Sequence, residues 1–247
     1  MPLLPGLVGS TASAQVGSGG DPYWNSVILL ANFDSGSVLN ADIDASGNTA
    51  SVARSNSAIT VQNTSPADTP YSYYLNKTSG NYYYRIFPSD QSVWSFSGPF
   101  TFEFWINAVS ISNNGYMISN RSDNTSNFGY ELQCNSSGIL TFNLGFGTGG
   151  SSLNTGINKS SLTGTWAHVA LTRDGSDVVR SYLNGSVVNS ATISGTTYQS
   201  TQPMWIYASG RGLTGWYGAL DEIRVTKSVA RYTGSSFTVP SAPFPTS

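Results

Sequence analysis

The stretch that decides the fold runs from residue 166 to residue 188 and reads WAHVALTRDGSDVVRSYLNGSVV. Apolar and polar residues alternate along 166–173 and again along 178–183, and this is the period of a β-strand. Asp174-Gly175 separates the first segment from the second, and Asn184-Gly185 separates the second from the third. Because Asn and Gly tolerate the positive φ of a type I′ turn, we predict a three-strand antiparallel meander here.

The same alternation recurs through most of the chain, while helical periodicity is nearly absent. Turn pairs such as Asn114-Gly115 and Ser137-Gly138 separate the alternating segments. Many short strands with regular turn spacing predict an all-β, two-sheet antiparallel jelly-roll sandwich. The predicted strands cover residues 27–33, 58–62, 72–75, 82–87, 100–107, 116–119, 128–134, 139–144, 166–173, 178–183, 187–193, 204–207 and 216–225.

Charge is scarce and evenly spread along the 247 residues. Eleven basic and thirteen acidic residues leave a formal net charge of −2, with no run of either sign. Nucleic-acid binding and a polybasic membrane anchor both require basic clusters, so neither partner is expected. No apolar run is long enough to span a bilayer, and no membrane insertion is expected. The single cysteine, Cys134, excludes an intrachain disulfide and is predicted as a small buried residue.

The composition divides the chain into three parts. Residues 9–20 are almost all Gly, Ser, Thr, Ala and Gln, so residues 1–22 are predicted as a flexible N-terminal arm. Residues 23–233 form the predicted sandwich, and residues 234–247 form a proline-rich C-terminal tail. The opening lacks a basic region and contains two prolines, so no secretion signal is expected there.

Four motifs resemble the laminin-G-like and concanavalin-A-like lectin and glucanase jelly rolls, in family order. Residues 100–105 read FTFEFW, similar to the F-T-x-E-x-W strand of that family, and residues 166–173 resemble its W-x-H-V-A-x-x-R strand. Residues 182–185 read YLNG, and residues 218–225 read GALDEIRV, like the closing G-x-L-D-E-x-R-V strand. The resemblance implies the sandwich fold but does not specify a ligand, because such folds serve as lectins, adhesion modules and spacers.

A narrower resemblance concerns the two ends of the chain. Residues 229–234 (VARYTG), 237–240 (FTVP) and 243–245 (PFP) are similar to the ending of laminin-G-like proteins of tailed bacteriophages, and the opening MPLLPG is also phage-like. This resemblance implies a non-catalytic virion-surface structural protein, of the capsid-decoration or cement kind, made in the host cytoplasm. The arm would then dock onto other virion proteins, and a homo-oligomer is expected. The alternative is a receptor-binding lectin at the tail fibre or tail tip.

Catalysis is the less favoured alternative. Sandwich glycan hydrolases need two carboxylates about 5–10 Å apart, and in the related hydrolases these lie in one strand motif, E-x-D-x-x-E. The glutamates here are Glu103, Glu131 and Glu222, and none has acidic neighbours at that spacing. We predict a structural hydrogen-bonding role for Glu103 and structural packing for His168, the single histidine.

Weak glycan binding by outward loops is expected, because aromatic rings stack on sugar faces while amides and hydroxyls read the sugar hydroxyls. In the run Tyr82-Tyr83-Tyr84, alternation places the middle ring opposite its neighbours, so a tyrosine must lie on an outer surface or at an interface. The candidate exposed glycan-binding residues are Asn113, Asn114, Tyr116, Arg121, Asp123, Asn124, Arg211, Trp216 and Tyr217.

A structural calcium ion is a further expectation from the resemblance. Related jelly-roll carbohydrate-binding modules hold calcium where the first and last strands meet, with an aspartate and backbone carbonyls as ligands. Carried over to this chain, Asp221 is the first candidate ligand and Asp34 the second. The alternative is that both carboxylates cap turns or accept backbone N–H bonds.

Overall fold

The predicted all-β architecture is confirmed. A computed structural model describes residues 20–33, 43–44, 50–62, 74–88, 90–121, 127–210 and 215–246. Short 3-10 helices occur at Trp24–Ser26, Gln91–Trp94 and Lys159–Leu162. The strands of the described residues are β1 (Val27–Ala31), β2 (Ile43–Asp44), β3 (Ala50–Arg54), β4 (Ile59–Gln62), β5 (Tyr74–Lys77), β6 (Tyr84–Pro88), β7 (Phe100–Ile111), β8 (Tyr116–Ser119), β9 (Tyr130–Cys134), β10 (Ile139–Gly145), β11 (Gly150–Asn158), β12 (Ala167–Arg173), β13 (Val178–Leu183), β14 (Ser186–Thr192), β15 (Met204–Ile206) and β16 (Trp216–Lys227).

These strands form two antiparallel sheets packed as a sandwich. Sheet A has the order β14-β13-β12-β7-β16-β1-β2, and β5 also pairs with β16 and carries β4 at its other edge. Sheet B has the order β11-β10-β9-β8-β15-β6-β3. The long β16 pairs with β7 along one edge, while β5 and β1 share its other edge. The last strand therefore lies near the centre of sheet A and beside the first.

The predicted meander is present as β12, β13 and β14. Leu183 pairs with Ser186 across the two-residue turn, and both turn residues have positive φ, 48° at Asn184 and 78° at Gly185. This is the geometry that a type I′ turn requires. The turn between β12 and β13 differs, because its positive φ falls on Asp177.

Aromatic side chains fill the space between the sheets. Phe102 lies 4.7 Å from Tyr130 and 5.9 Å from Phe142, between ring centroids, so a ring of sheet A meets two rings of sheet B. Tilted and edge-on pairs of this kind are the favoured aromatic geometries. Cys134 is a free, buried residue of the same core, as predicted.

Three of the described strands, β2, β3 and β11, were not predicted. Strand β11 has the composition of a loop, GSSLNTGIN, yet its apolar Leu153 and Ile157 are buried while most residues between them are exposed. Strand β11 pairs with β10 along most of its length. This backbone pairing holds the segment in a strand although its side chains do not favour one. Position in the sheet therefore overrides a weak strand propensity here.

The segment after β16, residues 229–246 (the C-terminal segment), packs on the outer face of sheet A. The backbone N–H of Phe237 donates to the carbonyl of Gly185 at 2.8 Å, and Val187 donates to Ser235 at 2.9 Å. Phe244 is buried against Val27 and Leu30. The predicted tail is thus attached to the sheet up to residue 246, while residue 247 lies outside the described residues.

The predicted N-terminal arm lies outside the described residues up to residue 19. Near its end, Asp21 is buried against sheet A. Within the described ranges, no helix has the length and apolar character needed to cross a bilayer.

Candidate functional site

The two outer faces of the sandwich differ, because the C-terminal segment covers much of one of them. On sheet A, the ring of Tyr232 stacks in parallel on Phe237, with 3.5 Å between centroids. The ring of Phe244 lies over the guanidinium of Arg224 at 3.6 Å. The outward side chains of the central strands of sheet A are therefore buried beneath this segment.

An ionic network lies under the C-terminal segment, with Glu103 fully buried at its centre. Glu103 Oε1 accepts a hydrogen bond from Arg224 Nε at 2.9 Å, and Glu103 Oε2 accepts one from the Tyr232 hydroxyl at 2.8 Å. Asp21 bonds Arg224 at 3.1 Å and Arg231 at 2.6 Å. Burial alone raises the pKa of Glu103, but Arg224 and the neighbouring donors outweigh it, so the pKa lies well below its usual value.

His168 joins the network from β12. Its Nε2 lies 3.4 Å from Glu103 Oε2, and its ring packs edge-on against Trp105 and Phe237. Both Glu103 and His168 are fully buried. Glu103 therefore makes the hydrogen bonds, and His168 the packing contacts, that were predicted for them.

The outer face of sheet B carries a different pattern, which we call the transverse row. Residues directly opposite one another on antiparallel neighbours project to the same side of the sheet. The continuous register of sheet B aligns one residue from each of seven described strands. From β11 to β3, the row contains Ser152, Asn143, Glu131, Ser119, Trp205, Arg85 and Ala53.

The polar half of the row is organised around Glu131, which is buried. Its Oε1 accepts hydrogen bonds from Arg121 Nη1 at 3.4 Å and from Asn143 Nδ2 at 3.3 Å. Its Oε2 accepts from the Ser119 hydroxyl at 3.5 Å. The hydroxyl of Ser152 donates to Asn143 Oδ1 at 2.6 Å. Four side chains from four strands are thereby fixed relative to one another.

A hollow of about 290 Å³ opens over this polar half. The guanidinium of Arg121 lies over the ring of Phe128, 4.4 Å from its centroid, and forms part of the wall. The hollow is lined by Arg121, Phe128, Glu131, Gln133, Asn143, Leu144, Gly150, Ser151 and Ser152.

The other half of the row is aromatic and is centred on Arg85. The rings of Tyr83 and Trp205 meet edge-on with 4.7 Å between centroids. The Arg85 guanidinium lies 4.9 Å from the ring of Tyr83, 5.1 Å from Trp205 and 5.2 Å from Phe87. We call these four residues the Arg85 cluster, and all four are half-buried.

The row combines groups that suit a polyhydroxylated ligand. Amides and hydroxyls bind sugar hydroxyls, and an adjacent aromatic ring can pack against an apolar sugar face. Ser119 and Glu131 are at most 1% exposed, so their role is to position the polar groups beside them. From Asn143 to Arg85 the row crosses five strands, about 19 Å at the usual strand spacing. Among the described residues, Glu131 is the single carboxylate that lines the hollow, and they contain no group of three or more His, Cys, Asp or Glu that could hold a metal ion.

Two of the predicted glycan-binding residues are not exposed, so that expectation is wrong for them. Trp216 is 1% exposed and packs in the core against Tyr207, with 4.6 Å between centroids. Tyr116 is 4% exposed. The register of sheet A explains Trp216, because it lies opposite Ile111 and its side chain points between the sheets.

The remaining candidates that the structure describes do not lie together in one site. Asn113 and Asn114 are exposed in the turn between β7 and β8, while Arg121 follows the opposite end of β8 and reaches the hollow. Tyr217 is half-buried, with the ammonium of Lys77 4.9 Å from its ring centroid. A further set of candidates lies outside the described residues: Asp123, Asn124 and Arg211.

The calcium expectation concerns the place where the first and last strands meet, and β1 does pair with β16. Asp221 is buried, and its Oδ1 accepts a hydrogen bond from the backbone N–H of Glu222 at 2.8 Å. Glu222 has a φ of 50°, within an irregularity of the β7–β16 ladder. Asp34 lies outside the described residues, so calcium binding stays a prediction.

Most of the transverse row was missed by sequence reasoning. Asn143, Trp205 and Arg85 lie in short alternating segments. In such segments the sequence does not tell which of the two sets of side chains faces solvent. One signal was available, since the alternation of Tyr82-Tyr83-Tyr84 predicted an outward ring. It is confirmed by Tyr83, which lies in the Arg85 cluster while Tyr84 is fully buried in the core.

Two antiparallel sheets of this topology, with one outer face carrying polar and aromatic groups, define a lectin-type jelly roll. The chain belongs to the concanavalin A-like lectin/glucanases superfamily, whose laminin-G family model matches residues 78–231. The predicted family is therefore confirmed. No curated protein matches the sequence.

Solved structures share the fold at low sequence identity. The binding domain of Paraclostridial Mosquitocidal Protein 1 has a TM-score of 0.59 and 16% identity, over 89% of this chain and 51% of that one. Domain 4 of AbnA, a GH43 extracellular arabinanase from Geobacillus stearothermophilus in complex with arabinotriose, has a TM-score of 0.60 and 13% identity, over 82% and 92%. A structure of botulinum neurotoxin type C, whose cell entry depends on two ganglioside molecules, has a TM-score of 0.57 and 16% identity, over 83% and 48%. The chain spans about half the length of these two toxin chains.

Proposed function

We propose that this protein is a non-catalytic glycan-binding module whose binding surface is the transverse row of sheet B. The observation that carries the proposal is the register of that sheet, which aligns Ser152, Asn143, Glu131 and Trp205 on one outer face. Hydrogen bonds among the first three hold the polar groups in place before a ligand arrives. Such preorganisation lowers the entropy cost of binding.

The same geometry supports binding over bond cleavage. Glycoside hydrolysis needs an acid and a base or nucleophile about 5–10 Å apart on either side of the bond. Of the residues described around the hollow, Glu131 is the one carboxylate, and it is already bonded to Arg121 and Asn143. Glu103 lies on the other sheet under the C-terminal segment.

The test is a glycan-binding screen followed by titration of the best ligand against variants of the row. Trp205→Ala should weaken binding about 10-fold, because an aromatic contact is worth up to about 1.5 kcal/mol beyond its area. Trp24→Ala is the matched control, since Trp24 is also half-buried but packs beside Val27 and Leu30 on sheet A. Equal losses in both variants, or none in Trp205→Ala, would contradict the assignment of the binding face.

We further propose that the module is displayed on the virion surface of a tailed bacteriophage, in a capsid-decoration or cement role. The support is the resemblance of residues 229–245 to the ending of phage laminin-G-like proteins. In this role residues 1–20 dock onto neighbouring virion proteins, and the module assembles as a homo-oligomer. Deleting residues 1–20 should abolish incorporation into particles, measured by immunoblot of purified virions, and unchanged incorporation would count against it.

The second candidate is a receptor-binding lectin at the tail fibre or tail tip, which the transverse row favours because it offers a built recognition surface. Immunogold labelling of intact particles distinguishes the two roles by position. Tail labelling, together with loss of host adsorption in Trp205→Ala, would support the receptor-binding role.

A further inference from the structure

The Arg85 side chain has no acidic partner among the described residues. Its guanidinium is surrounded by Tyr83, Phe87 and Trp205, and within the described part of the chain it makes no hydrogen bond and no ion pair. Its Nε is buried without a hydrogen-bond partner, while its two terminal nitrogens keep contact with solvent. The indole N–H of Trp205 is also buried without a partner.

This distinguishes Arg85 from the other arginines of the described ranges. Each of those donates at least one side-chain hydrogen bond to a carboxylate or a backbone carbonyl. In a chain with few charges, placing one guanidinium against three rings costs solvation, and cation–π attraction to the rings offsets that cost without supplying a counter-ion. The arginines with partners are Arg54, Arg121, Arg173, Arg180, Arg224 and Arg231.

Among the described residues, the Arg85 guanidinium therefore has no carboxylate acceptor for its N–H groups. A guanidinium presents a planar pair of N–H groups that matches the two oxygens of a carboxylate. Aromatic rings on its sides reduce its contact with water, and an ion pair formed there is stronger than one in open solvent. The cluster also lies on the transverse row, in register with Trp205 and Ser119, so a ligand bound over the hollow can extend to it.

We propose that the Arg85 cluster binds the carboxylate of an acidic sugar, so that the ligand of this protein is an acidic glycan. The carboxylate accepts two hydrogen bonds from the terminal nitrogens of Arg85, and the sugar ring packs on Tyr83 or Trp205. This inference rests on the proposed function and deepens it, since it names the chemical class of the ligand.

The experiment compares acidic probes with their neutral counterparts by isothermal titration calorimetry at low and moderate salt. The matched pairs are trigalacturonic acid with its methyl ester, and 3′-sialyllactose with lactose. The acidic member of at least one pair should bind about 10- to 100-fold more tightly, which is the value of a charge-assisted hydrogen-bonded pair. Arg85→Gln should remove this preference, and Arg85→Lys should restore part of it, because lysine keeps the charge but loses the planar fork.

Arg180→Gln is the matched control, since Arg180 lies on sheet A and is paired with Asp174 at 2.5 Å. It should leave the preference for the acidic probe unchanged. Circular dichroism and melting curves of each variant separate loss of binding from loss of folding. If acidic and neutral probes bind equally well in the native protein, the acidic-ligand inference is overturned while the proposed function stands. If no probe of either kind binds, the proposed function and the acidic-ligand inference are both overturned. The sulfated probe 3′-sulfolactose tests the anion itself, and Arg85-dependent binding of this probe alone would overturn the carboxylate assignment.

Discussion

The substitution Glu103→Gln tests the buried ionic network most directly. Gln has the shape of Glu but no charge, and its amide group turns a donor towards either Arg224 or Tyr232, which are themselves donors to Glu103. The two guanidiniums of Arg224 and Arg231 then share the single charge of Asp21. A buried cation is left partly uncompensated in the variant.

Removing one partner of a buried ion pair costs about 3–5 kcal/mol. For a domain of this size, that loss corresponds to a fall in melting temperature of roughly 6 to 20 °C. The pH dependence has a definite sign. Because the pKa values of Glu103 and Asp21 lie below their usual values in the folded protein, their stabilisation is complete above about pH 4.5 and is lost as the pH falls. The variant should therefore lose less stability on acidification than the native protein does.

Urea unfolding followed by tryptophan fluorescence, at pH 7 and at several lower pH values, measures both effects. Asp174→Asn is the control, because Asp174 pairs with Arg180 in a partly exposed position and Asn keeps the oxygen that accepts from Ser176. Its cost should be about 1 kcal/mol or less. A loss in Glu103→Gln no greater than that of the control would refute the view that the network is a buried, charge-dependent part of the fold.

Further predictions concern single sites. Burial lowers the pKa of Lys77 to about 8, so with rising pH the folded protein releases this proton before the unfolded chain does. The midpoint of urea unfolding should therefore rise between about pH 8 and pH 10, and Lys77→Met should remove that rise. Gly185→Ala should destabilise the protein by about 1–3 kcal/mol in the same assay, because φ is +78° and a Cβ would lie 2.3 Å from the carbonyl oxygen of Phe237. Gly175→Ala is the control, since the space around its Cβ position is open, and it should lower the free energy of unfolding by less than about 1 kcal/mol. If calcium binds at Asp221, EDTA should lower the melting temperature and added calcium should restore it; an unchanged melting temperature would remove the calcium site.

The sequence predicted the elements whose local pattern and turn chemistry agree. The meander from β12 to β14 is the clearest case, since alternation and the Asn184-Gly185 turn both specify it. Strand β11 could not be predicted in the same way, because Gly, Ser and Asn dominate it and only its pairing with β10 makes it a strand.

The binding surface was harder to predict than the fold. Alternation predicts that neighbouring residues in a strand face opposite sides of the sheet. It does not identify which of the two sides faces the core. Trp216 and Trp205 illustrate this, because both occur in predicted strands and the first turns inward while the second turns outward. The transverse row depends on the register between strands that are distant in sequence, such as β6 and β15, and no local pattern encodes that register.

The position of Asp21 and Phe244 has a consequence for how the module can be attached. Both lie on the back of sheet A, so the polypeptide enters and leaves the sandwich on the side opposite the transverse row. A tether that continued directly from either of these two residues would keep the row pointing away from its support. Copies anchored close together on one surface would all present the same face outward, and weak individual contacts with a repetitive ligand could then combine into strong attachment.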